Sequence, residues 1–228
     1  IYRAVQVAKT PPVGPVHLAV YDRLLKEDRI TTKIMQGAIP NIRAGYPSDA
    51  DVETIIKALH DAERPLIYIG DGIWKSGAEA HVISVADHFG AWVAGHWGEM
   101  RRCPWVHPLY CGQFDGVLSA LDPDLIMCIG LRANGRGKPQ DFELFPNVKF
   151  LVSIGSDVGN LKNISGLDLA VLADEKRTLE CLRDFSVSLQ RCYLDRRMRA
   201  MEQAGKLRKK RRKAIQKDGP QSSQIRPW

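Results

Sequence analysis

The sequence predicts an α/β fold, a doubly wound parallel sheet with helices on both faces, occupying residues 48–187. Three observations predict it. Short, wholly apolar runs such as residues 66–70 and 125–130 have the length of strands buried on both faces. Other segments repeat apolar residues at helical spacing, as Val52, Ile55, Ile56 and Leu59 do. The two kinds alternate along the chain, which is the pattern of βα units feeding a parallel, Rossmann-like sheet.

Residues 16–20 form a short apolar run behind the Gly14-Pro15 turn, which predicts a strand. Residues 26–47 keep no period and are interrupted by Pro40, Gly45 and Pro47, so they are expected to be a linker. Ser48 is placed to cap the helix of Val52 to Leu59, and Arg64-Pro65 ends it. A strand follows at 66–70, then a helix over 78–89 with Val82, Val85, Ala86 and Phe89 on one face. After a strand at 91–94, a long loop is expected up to Gly116 and a short helix over 117–121. Strands are expected at 125–130, 148–154 and 167–172, and a helix opening at Asp174 carries Leu179, Leu182 and Phe185. A long polar helix and the turn-rich "KDGPQSSQIRPW" close the chain.

Composition narrows the function classes. Hydrophobic residues make up 44% and charged residues 26% of the 228, ordinary values for a soluble globular protein. No run of eighteen apolar residues exists, so no membrane-spanning helix is expected. The opening "IYRAVQVAKT" does not have the layout of a secretory signal and has no initiator Met, so the chain is expected to start inside a longer polypeptide. The net charge of +7 is local: residues 191–217 carry twelve Lys or Arg against Asp195 and Glu202, and the remainder of the chain sums to −3. Such a run is more often a solvated helix face than a nucleic-acid arm, although residues 206–213, with seven basic side chains in eight, also suit RNA or an acidic membrane face. The five cysteines, Cys103, Cys111, Cys128, Cys181 and Cys192, include no C-x-x-C pair and fit reduced thiols of a cytoplasmic protein.

The stretch "IGDGIWKSG" (69–77) resembles two phosphate-binding signatures. A P-loop needs a glycine before its Lys-Ser, and Trp74 stands there, so an indole would block the cradle. The dinucleotide fingerprint G-x-G-x-x-G has Lys75 at its third glycine. A strand ending in Gly70-Asp71-Gly72 before a helix still presents backbone N–H groups suited to a phosphate, or else makes only a tight turn.

Taken in order, the motifs resemble the thiamine diphosphate-dependent enzymes, a family including acetolactate synthase, pyruvate oxidase and benzoylformate decarboxylase. "RPLIYIGDGIWKSGAEAHVISVADHFGAWVAGHWGEM" (64–100) resembles the opening of their central domain, and "HPLYCGQFDG" (107–116) a later loop. "LDPDLIMCIGLRANGRG" (121–137) is similar to a strand and loop with a family Arg at Arg132. "VKFLVSIGSD" (148–157) is similar to a strand ending in two family Asp, of which Asp157 matches the second while Gly155 replaces the first. "LDLAVLADEKRTLECL" (167–182) resembles the closing strand and helix, with Asp174 at the family Asp. The flanks resemble the end of a pyrimidine-binding domain ("RAVQVAKTPPVGPVHLAVYD") and the start of a diphosphate-binding domain ("SQIRPW"). The implied organisation is residues 1–25 as the end of a pyrimidine domain, 26–47 as linker, 48–187 as central domain, and 188–228 as a basic helical connector leading to a diphosphate domain.

The resemblance implies a parent transferase or lyase that decarboxylates a 2-oxo acid or transfers the resulting carbanion equivalent. That parent would be a homodimer or tetramer using thiamine diphosphate and Mg²⁺. Neither the family's activating Glu nor its magnesium motif maps here: Gly70-Asp71-Gly72 matches the first half of the metal signature, but no Asn occurs between Asn41 and Asn134. This segment alone is therefore expected to be catalytically silent, with no catalytic or metal residue of its own. In some relatives the central domain binds FAD or ADP, and in others it is a structural spacer. The candidate cofactor contacts are Gly70, Asp71, Gly72, Gly112, Gly130, Arg132, Asp157 and Asp174, which sit where strands end and ligands bind in open parallel sheets. An arginine there is suited to pair bidentately with a diphosphate. The alternative reading is an independent NAD- or FAD-binding module. His88, His96, Glu99, Cys103 and His107 match no closed zinc spacing, and Trp92, Trp97 and Trp105 suit packing better than base stacking.

Overall fold

The computed structural model describes residues 1–22, 33, 37–95, 107–113, 118–132, 147–188 and 193–217. The chain divides into two compact units, Ile1–Gly45 and Tyr46–Trp228.

In the first unit the sequence reading is corrected. Residues Tyr2–Lys9 form helix α1, which no expectation covered, and Tyr2 Oη donates to the Ala38 carbonyl at 3.0 Å. The strand expected at 16–20 is irregular backbone, with Val16, Leu18 and Val20 exposed. A strand is defined by its ladder partner, and none of the six described strands pairs with this run.

The second unit holds the sheet. Helix α2 (Asp49–Asp61) is capped by Ser48, whose hydroxyl accepts from the Asp51 N–H at 3.1 Å, and it buries Val52, Ile55, Ile56 and Leu59. Strand β1 (Pro65–Ile69) runs into a short helix, α3 (Gly72–Ser76), and then α4 (Glu79–Phe89), β2 (Trp92–Gly95) and β3 (Tyr110–Gln113). Helix α5 (Leu118–Leu121), β4 (Leu125–Ile129), β5 (Phe150–Gly155), α6 (Val158–Leu161), β6 (Leu169–Leu172), α7 (Glu175–Ser188) and α8 (Leu194–Lys217) follow.

All strands are parallel, in the order β3-β2-β1-β4-β5-β6. In β1, β2 and β4 every residue is buried, so both faces of the centre are covered. Edge strand β6 buries only Val171, and Leu172 remains exposed. Aspartates lock the strand starts in register: Asp124 accepts from the N–H groups of Glu63 and Arg64 at 2.8 Å each, and Asp168 from Leu151 at 2.7 Å. Burial pushes the Cys128 thiol up, and the Cys111 thiol up to about 12, so both are inert packing groups.

Two expectations change here. The loop to Gly116 contains β3, three of whose residues pair with β2 through a register shift: Tyr110 faces Val93 and Gly112 faces Ala94. Gly112 has φ of 109°, so its conformation serves this bulge on an edge strand. Helix α8 does not simply cross solvent. Arg196, Ala200 and Ala204 form a buried stripe at spacing four, and the Trp92 Nε1–H donates to the Ala200 carbonyl at 3.1 Å. Arg196 Nε donates to the Phe89 carbonyl at 2.7 Å, and its Nη1 to the Ala62 carbonyl, joining α8 to the C-terminal ends of α4 and α2. Alanines and one aliphatic-stemmed arginine give little apolar periodicity, which is why the packing was not legible in the sequence.

Candidate functional site

The strand order reverses direction between β1 and β4, and their C-terminal ends define the switch point at which ligands bind in open α/β sheets. Five of the eight sequence-selected residues meet there: Gly70, Asp71 and Gly72 after β1, and Gly130 and Arg132 after β4. The two turns are in direct contact. The Gly70 N–H donates to the Ile129 carbonyl and the Gly72 N–H to the Gly130 carbonyl, both at 2.9 Å. A Cβ on Gly72 would lie 2.5 Å from the Gly130 Cα, and a Cβ on Gly130, where φ is +59°, would lie 2.6 Å from the Gly72 Cα. Glycine is required on both sides of this contact.

The polar groups of the crevice answer one another. The Asp71 carboxylate receives Lys75 Nζ at 2.8 Å and Arg132 Nη2 at 3.3 Å. The Ile73 N–H donates to the Gly70 carbonyl. The backbone donors expected to be available for a phosphate at Gly70 and Gly72 are thus already used within the turn.

Asp157 and Asp174 lie at the neighbouring strand ends and act as helix caps. Asp157 accepts from the Gly159 N–H at 2.7 Å and from Asn160 Nδ2 at 3.1 Å. Asp174 accepts from the Arg177 N–H at 2.9 Å, opening α7. Gly112 lies on β3, with β2 standing between it and β1. Of the five His, Glu and Cys residues whose spacing fits no zinc pattern, His88 stacks edge-on with Phe89 and Tyr193, and His107 faces Asp87 at 3.5 Å. Burial, and next the Arg196 guanidinium, hold His88 below its ordinary range. His96, Glu99, Cys103, Trp97 and Trp105 lie outside the described residues.

One residue of the crevice was missed by sequence reasoning. Glu175, 5% exposed, sends its carboxylate between the turns: Oε1 would lie 2.8 Å from a Cβ on Gly72 and 3.9 Å from one on Gly155. It accepts from the Ser156 N–H at 3.1 Å and from the Ser156 hydroxyl at 3.2 Å. Burial pushes its carboxyl above the ordinary range, against the opposing pull of these hydrogen bonds. The only signal in the sequence was an acid immediately after the capping Asp174, which reads as a favourable first-turn charge.

Six described parallel strands in this order, with glycine turns touching at the switch point, define a doubly wound, Rossmann-like α/β domain. The chain belongs to the family of thiamine pyrophosphate enzyme central domains, whose description matches residues 52–182. It is 23% identical over 139 residues to the acetolactate synthase large subunit of Corynebacterium glutamicum, spanning 58% of this chain and 22% of that protein. Its fold is similar to that of an enzyme from Mycobacterium smegmatis described as thiamin diphosphate-dependent (TM-score 0.62, 22% identity, 80% of this chain and 36% of that one). It is similar also to benzoylformate decarboxylase from Polynucleobacter necessarius (TM-score 0.64, 21% identity, 80% and 35%). The chain thus spans roughly a quarter to a third of the length of these relatives.

Among the described residues, the groups that would meet a cofactor in this crevice are largely paired with one another. A magnesium ion at Asp71 would compete with two cationic side chains already on that carboxylate. Among the described residues no three His, Cys, Asp or Glu gather as a metal site. A diphosphate laid on the 70–72 turn would find the Gly70 and Gly72 N–H groups engaged and a buried carboxyl, Glu175, beside it.

Proposed function

We propose that this chain is the central, structural domain of a thiamine diphosphate-dependent enzyme that decarboxylates a 2-oxo acid or transfers its acyl carbanion equivalent, as an acetolactate synthase does. The parent is a cytoplasmic homodimer or tetramer. Its pyrimidine- and diphosphate-binding domains hold thiamine diphosphate and Mg²⁺, and residues 1–25 are the end of the first of these. The exposed Val16, Leu18 and Val20 suit a strand whose neighbours belong to that domain. Residues 26–47 and 188–228 link the sheet domain to its neighbours, α8 doing so while packed on the sheet.

The observation that carries the spacer reading is the self-contained switch point. Glycine turns in contact, with the Gly70 and Gly72 N–H groups engaged and Asp71 paired to Lys75 and Arg132, leave few described donors for a diphosphate. The exposed Arg132, whose side chain is 60% accessible, is the feature among the described residues that favours FAD or ADP. The test has two parts. Purified chain is titrated with FAD and with ADP by calorimetry, and the expected result is no saturable binding. The complete gene product is then assayed for 2-oxo acid consumption with thiamine diphosphate and Mg²⁺, expected to be active while this chain alone is not. Turnover by the chain alone, or an inactive complete product lacking an activating glutamate upstream, overturns the assignment. Saturable FAD or ADP binding that Arg132→Ala abolishes replaces the spacer with a nucleotide-binding domain.

A further inference from the structure

At the opposite end of the sheet, under the N-terminal ends of β1 and β2, lies a cavity of about 220 Å³. Its lining includes three arginines, Arg64, Arg196 and Arg199, and one acidic residue, Glu63. On α8, Arg196, Arg199, Ala200 and Gln203 follow the spacing that puts side chains on one helical face. Ala200 leaves room at the centre of that face, and the Trp92 indole makes an apolar wall.

The three arginines differ in state. Arg196, 8% exposed, is fixed by donating to the Phe89 and Ala62 carbonyls and lies over the Tyr193 ring, 4.2 Å from its centroid. Arg64 is held at the rim by the Asp122 carbonyl at 2.6 Å and its carboxylate at 3.4 Å. Arg199 is exposed, and among the described residues it has no hydrogen bond or ion pair. Arg196 spends Nε and Nη1 on those carbonyls and has Nη2 buried, so it lends positive charge, while Arg64 and Arg199 are the arginines left to meet an anion in this concave, partly apolar space. The cavity is too small for a nucleotide and large enough for a small dianion.

We propose that this cavity binds a small anion of the phosphate or carboxylate class, with Arg199 as the closing arm, Arg64 at the rim and the buried Arg196 supplying charge rather than hydrogen bonds. The site stands apart from the switch point and does not depend on the function proposed above.

Calorimetric titration of the full chain with inorganic phosphate, inorganic pyrophosphate and succinate, at constant ionic strength in chloride, tests it. One saturable site is expected for at least one of the three, and which of them binds separates a phosphate from a carboxylate source. Arg199→Ala, whose side chain has no hydrogen bond or ion pair among the described residues, is expected to weaken binding roughly tenfold or more, the scale of a lost charge-assisted hydrogen bond. Glu63→Gln removes the competing carboxylate and is expected to tighten it several-fold. The double variant Lys209→Ala, Lys210→Ala on the exposed end of α8 is expected to leave it unchanged. No saturable heat with any of the three anions overturns the proposal. So does unchanged affinity in Arg199→Ala, or a loss confined to the double lysine variant, which would put the anion on the basic end of the helix.

Discussion

Replacing Gly72 by Ala tests the reasoning about the switch point most directly. The added Cβ meets the Gly130 Cα at 2.5 Å, the Glu175 Oε1 at 2.8 Å and the Gly130 carbonyl oxygen at 3.1 Å. The first is backbone, so relief requires the β1 and β4 ends to separate. That movement strains or breaks the Gly72 N–H bond to the Gly130 carbonyl. Overpacking of this kind costs about 1–3 kcal/mol, and a lost buried hydrogen bond adds about 1 kcal/mol. The expected destabilisation is therefore about 3 kcal/mol, a fall in Tm of roughly 6–12 °C for a unit of this size. Urea and thermal unfolding followed by circular dichroism measure it. Two glycines serve as controls. Gly77→Ala meets no atom within 4 Å and suffers only its positive φ of +68°, costing about 1 kcal/mol. Gly205→Ala, also free of contacts and inside α8, is expected to stabilise by about 0.5–1 kcal/mol. If Gly72→Ala unfolds within 0.5 kcal/mol of the parent, or no earlier than Gly77→Ala, the turns are not in contact and the self-contained crevice is refuted.

Three more outcomes follow from the same geometry. Glu175 has its folded carboxyl raised above 4.5, so the native state holds more protons than the unfolded chain, and stability falls as pH rises from about 4.5 through that raised value. Glu175→Gln keeps an acceptor for Ser156 but removes this loss, so its advantage over the parent should grow across that window; a difference flat from pH 4 to 8 in denaturant titrations contradicts the assignment. Arg196→Ala should cost about 2–4 kcal/mol in urea unfolding, because two helix-end carbonyls lose a charged donor and α8 loses its anchor; a cost under 0.5 kcal/mol would mean α8 is not docked there. Ser48→Ala removes the cap on α2 and should cost about 1 kcal/mol by the same assay, whereas no loss would show that the Asp51 N–H is satisfied elsewhere.

Much of the fold was legible because it is local. The buried face of α2, the inward face of α4 and the apolar cores of β1, β4 and β5 follow from side-chain period, and the structure keeps each within a few residues of its expected bounds. What was not legible is where pairing or packing partners decide. The run 16–20 has strand composition without a described partner, whereas Tyr110–Gln113 has a glycine and a glutamine yet becomes β3 because the edge of β2 stands beside it. The site divides in the same way. Gly70, Asp71, Gly72, Gly130 and Arg132 were selected from the sequence and do converge, while Asp157 and Asp174 proved to be helix caps and Gly112 a bulge. Glu175 was invisible, since nothing in its neighbourhood along the chain distinguishes a buried carboxyl from a solvated first-turn acid.

The sequence by itself determined that apolar strands alternate with amphipathic helices, and in what order. Periodicity and capping are written into neighbouring residues, so the class of fold followed from them, while the family followed from the resemblance of the motifs and their order. Only the tertiary structure decided that Gly72 and Gly130 touch, that Lys75 and Arg132 both reach Asp71, and that the arginines of α8 border a cavity under β1 and β2. Those are relations between segments remote along the chain, set by sheet order and close packing, and no local pattern encodes them.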